Sequence, residues 1–96
     1  MIIVFDNLKK CINTDVILGF EVVEMNDGDY YAIARMSHNT TLKMISSAHE
    51  DYCWKYILSI LDFIAKDYKY VNSYSILENL MQKEEGGYLN RNTDML

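Results

Sequence analysis

Apolar and polar positions along the chain change period once. Up to about residue 46 they alternate in short runs separated by turn-forming pairs; beyond that they recur at helical spacing. The early runs predict five strands over 1–5, 8–12, 16–25, 30–37 and 40–46. Asp6-Asn7, Asn13-Thr14-Asp15, Asn26-Asp27-Gly28 and His38-Asn39 supply the turns between them. Lys9 and Lys10 mark the second strand as one near a sheet edge.

The hairpin register follows from the same pattern. A three-residue loop, with Gly28 in the left-handed conformation, puts Leu18, Phe20 and Val22 on one face with Ala32, Ala34 and Met36. Leu42 and Met44 join them from the next strand. Glu21, Val23, Tyr31, Ile33, Arg35, Thr41, Lys43 and Ile45 then face the other way. A two-residue turn would instead place Phe20 beside Arg35, so the longer loop is preferred. Small Ala32 and Ala34 leave room on the inner face for a helix with large side chains.

That helix is predicted over 47–70. Ser47 and Glu50 have capping-box spacing, and Glu50, Asp51, Lys66 and Lys69 suit the helix dipole. On a wheel at about 100° per residue, Lys55, Ser59, Asp62, Lys66 and Lys69 form one polar stripe. The rest is apolar or aromatic, far more than one sheet can cover. Its centre carries Cys53, Ile57, Ile60 and Ile64. One flank carries Tyr52, Tyr56 and Phe63, and the other Trp54, Leu58, Leu61, Ala65 and Tyr68. Ser75 and Glu78 suggest a second capping box, opening a short amphipathic helix over 75–85 that Gly86-Gly87 ends. We expect this helix to cover the flank of Trp54, Leu58 and Leu61. Tyr52, Tyr56 and Phe63 would then remain as the sharper candidate for a partner. The expected fold is α+β: an antiparallel meander of about five strands packed on one face by the long helix. Residues 1–85 form the domain and 86–96 a polar tail.

Composition narrows the function classes. A chain of 96 residues, half of them apolar, makes one domain with a real core. The net charge of -5 disfavours broad binding to nucleic acid or anionic lipid. No apolar run is long enough to span a membrane, and the apolar start is too short for a signal peptide, so a cytoplasmic protein is expected. Cys11 and Cys53 are read as reduced core thiols.

Candidate chemistry is sparse. His49 and Cys53 lie at i and i+4, a spacing that suits a metal ion or a thiolate–imidazole pair, but no further ligands have matching spacing. Asp27-Gly28-Asp29 lacks the other positions of a calcium loop. No catalytic residue, metal or cofactor is therefore assigned. Tyr31, Arg35 and Lys43 share the outer sheet face and could stack and neutralise a single-stranded nucleic acid. The segments "VILGFEVVEMNDGDYYAIARMS" and "TTLKMISSAHEDYCWKYILSIL" resemble a class of small bacterial and prophage-encoded proteins with a meander followed by a long helix. The resemblance covers residues 1 to about 70, implies a mobile-element setting, and transfers no functional residue. The expectation is a non-enzymatic, homodimeric protein-interaction module using Tyr52, Tyr56, Phe63, Trp54 and Leu58. The alternative is a sheet-face nucleic-acid binder.

Overall fold

A computed structural model describes residues 1–37 and 39–80. The chain runs β1 (Ile2–Phe5), β2 (Lys10–Asn13), β3 (Ile17–Glu24), β4 (Tyr30–Met36), β5 (Thr40–Ser47), α1 (Glu50–Ala65), β6 (Tyr70–Asn72) and α2, which is helical over 73–80. The class is α+β. The strands form two three-stranded sheets, in the orders β2-β1-β6 and β3-β4-β5, rather than the expected single meander. A 3₁₀ turn at Thr14–Val16 separates the sheets along the chain. Asn13 stabilises it by accepting the backbone N–H of Asp15 at 3.0 Å.

The second sheet keeps the predicted hairpin. Gly28 has φ 88°, and its N–H donates to the Met25 carbonyl at 3.0 Å, closing the three-residue loop. Phe20 pairs with Ala34, Val22 with Ala32, and Ala34 with Leu42, all on the inner face. Two irregularities correct the expected alternation. The register shifts between Ile17 and Gly19, and Leu18, expected inside, is 76% exposed. A second shift, between Ala32 and Ile33, sets Ile45 opposite Ala32, so Ile45 packs on the core beside buried Met44.

Helix α1 is shorter than predicted at both ends. Ser47 accepts the N–H of His49 at 3.0 Å in a local turn, and His49 holds the N-cap position without a side-chain cap bond. At the other end Lys66 is the C-cap and Asp67 adopts φ 61°. The N–H groups of Tyr68 and Asp67 donate to the carbonyls of Phe63 and Ile64, at 3.2 and 2.9 Å. This is a Schellman ending, and its customary apolar contact is the edge-to-face pair of Phe63 and Tyr68, with centroids 4.9 Å apart. Turning the chain here frees Tyr70–Asn72 to join β1 as a parallel strand, with Val71 opposite Ile3.

Helix α2 starts two residues before the predicted Ser75. Asn72 caps it, accepting the N–H of Tyr74 at 2.8 Å. The expected end near 85, the Gly86-Gly87 stop and the 86–96 tail lie outside the described residues, as does His38. One core unites the elements: Ile3, Phe5 and Val71 from the first sheet, Ala32, Ala34, Leu42 and Met44 from the second, Cys53, Tyr56, Ile57 and Ile60 from α1, and Ile76 and Leu80 from α2. Full burial of each Ile contributes roughly 1.5–3 kcal/mol.

Candidate interaction surface

The sheet takes only part of the apolar circumference of α1. Cys53, Ile57 and Ile60 are buried, and the Cys53 thiol donates to the Tyr30 carbonyl at 3.4 Å. What happens on either side of that strip reverses the expectation. Tyr56 is 0% exposed, and Tyr52 and Phe63 are half-buried against the core. Trp54, Leu58 and Leu61 are 47%, 45% and 43% exposed.

The cause is Ser59. The polar stripe of the wheel put it in solvent, yet it is buried under α2. Its hydroxyl donates to the Ile76 carbonyl at 3.3 Å and accepts from the Asn79 amide at 2.7 Å. A small side chain with both hydrogen-bond functions lets the second helix approach closely. The second helix therefore docks on the side of Tyr56 and Ser59. A small polar residue next to an aromatic flank, matched by Asn79 one helix later, was the available signal.

Trp54, Leu58 and Leu61 form a stripe on the opposite side, next to the edge strand β3. Val22, Glu50, Asp51 and Trp54 line a shallow recess of about 260 Å³ there. Beside the stripe runs a row of charges, Asp51, Lys55, Asp62 and Lys66, in which Lys55 pairs with Asp51 at 3.2 Å and Lys66 with Asp62 at 3.1 Å.

The covered side has its own irregularity. Among the described residues the buried Tyr56 hydroxyl has no hydrogen-bond partner. Burial pushes its pKa well above the ordinary phenol value. The residue lines a cavity of about 250 Å³ with Asn7, Met44, Ile45, Ser73, Tyr74 and Leu77.

On the outer face of the second sheet, Tyr31, Arg35 and Lys43 do come together. Arg35 makes a two-pronged ion pair with Glu21, which holds that carboxyl below its usual range. The Lys43 ammonium lies 4.9 Å over the Tyr31 ring. Both cations and the one aromatic ring already have internal partners, which leaves the nucleic-acid reading without an observation in its favour. His49 and Cys53 do not converge into a reactive pair: His49 is an exposed cap residue, and burial pushes the Cys53 thiol pKa up, opposite to what a nucleophile requires. Cys11, expected in the core, is exposed on β2. Among the described residues no three His, Cys, Asp or Glu side chains group to hold a metal ion, and no helix is long and apolar enough to cross a membrane.

No protein-family model, curated protein or solved structure matches the chain.

Proposed function

We propose that this protein is a small non-enzymatic interaction module that self-associates through the Trp54, Leu58 and Leu61 flank of α1. The observation that carries the reading is that these three large side chains remain about half exposed side by side, while Cys53, Tyr56, Ile57 and Ile60 of the same helix are buried. Adjacent exposed apolar residues of this size mark contact sites, and a Trp among them is the expected anchor. The flank is built on a regular helix, and its Trp54 shares a recess with Val22 of β3, an edge strand among the described residues, so it is presented rigidly. Tyr52 and Phe63, candidates from sequence, serve the fold in this reading, and Tyr56 is wholly internal.

Sedimentation of the wild-type chain at micromolar concentration is the test. A dimer that Leu58→Ser converts to a folded monomer is the expected result. A wild-type monomer would remove self-association, and loss of the fold in Leu58→Ser would return the flank to the core.

A further inference from the structure

We infer that two copies dock with their α1 helices antiparallel, about a two-fold axis passing between Leu58 and Ser59. This rests on the self-association proposed above and adds its orientation and register. The row beside the apolar stripe reads, from N- to C-terminus, acid, base, acid, base: Asp51, Lys55, Asp62, Lys66. Two-fold symmetry about an axis normal to both helices brings this row against its own copy in reverse order. With the axis between Leu58 and Ser59, Asp51 meets the partner's Lys66 and Lys55 meets the partner's Asp62, each twice. A parallel two-fold arrangement, with its axis along the helices, would put the two rows on opposite edges of the junction, where they do not meet.

The apolar stripe requires the same axis. Trp54, Leu58, Leu61 and Ala65 fall within about 60° of one another on the helix. Under this symmetry Leu58 lies next to the partner's Leu58, and Trp54 projects between the partner's Leu61 and Ala65, where the small Ala65 side chain leaves space. Helix dipoles also oppose in this orientation. The pairs within each chain, Lys55 with Asp51 and Lys66 with Asp62, become part of a network of alternating charge rather than being broken. Helix α2 packs beyond the charged row, on the side of Ser59 and Tyr56, and leaves the apolar stripe clear.

Two charge-swapped chains test the alignment. Asp51→Lys with Asp62→Lys makes the row wholly basic, and Lys55→Glu with Lys66→Glu makes it wholly acidic. Each alone should raise the dimer Kd about tenfold or more, and an equimolar mixture should recover most of the wild-type affinity. Circular dichroism checks that each swapped chain is folded. Orientation is read separately by disulfide trapping in a Cys11→Ser background. Asp51→Cys should cross-link to Lys66→Cys in a mixture and not to itself. Self-linking of Asp51→Cys, or a dimer indifferent to both swaps, would overturn the antiparallel alignment while leaving self-association standing. A wild-type chain that never dimerises would overturn both.

Discussion

Along one side of α1 stand Tyr52, Tyr56 and Phe63; along the other stand Trp54, Leu58 and Leu61. By size and hydropathy the second set is at least as suited to burial as the first. Yet Tyr56 goes into the core with an unpartnered hydroxyl, while Trp54 stays half exposed. The difference lies in the residues between the flanks and the solvent face. Next to the first set sits Ser59, which offers α2 a close approach and two hydrogen bonds. Next to the second set sit Asp51, Lys55, Asp62 and Lys66, whose charges resist being covered by a short apolar helix. Which apolar surface a protein buries is decided by the geometry and polarity of its border as much as by its hydrophobicity.

Substitutions can break that contrast most sharply at the covered side. Ile60→Ala, in the fully buried strip, should cost about 2–5 kcal/mol in denaturant unfolding. Ser59→Val comes next. It removes both hydrogen bonds to α2 and inserts bulk at the helix–helix contact, for an expected loss of about 1–3 kcal/mol by the same measurement. Tyr56→Phe should move the other way, raising stability by up to about 1 kcal/mol, because it deletes a buried hydroxyl that has no partner. A loss there would mean that the hydroxyl is satisfied in solution. At the open flank, Leu58→Ser should change the stability of the monomer by no more than about 0.5 kcal/mol, measured at concentrations too low for association.

The pH dependence sharpens the same contrast. Burial raises the pKa values of Tyr56 and Cys53, so the folded chain holds both protons more tightly than the unfolded chain does. Their contribution to stability is complete below the unfolded values, near 8.5 for the thiol and about 10 for the phenol, and falls as pH rises beyond them. Alkaline unfolding monitored by circular dichroism should show this loss. Tyr56→Phe should remove the phenol part, which sets in above about pH 10, and leave the thiol part that begins near 8.5. No corresponding change is expected from Trp54→Phe on the open flank, which carries no titrating group.

The period of the apolar residues determined much of the molecule. The five early strands, the Asn26-Asp27-Gly28 loop and the pairing of Phe20 and Val22 with Ala34 and Ala32 follow from alternation and turn chemistry, which are local. So does the identity of α1 and of its apolar surplus. Tertiary structure alone decided what those elements did together. Ile2 and Val4 give no sign in sequence that a parallel partner will arrive from Tyr70–Asn72, because the pairing is formed across the whole fold. Asp67 ended α1 early in a left-handed conformation that Gly more often supplies, and only the contact of Tyr68 with Phe63 identifies the turn. The side on which α2 docks rested on a serine that local pattern assigns to solvent. Hydrophobic periodicity records that a side chain is apolar and which way it points from its own backbone. It does not record which neighbour will meet it, and on α1 that missing piece separates the core from the surface we assign to a partner.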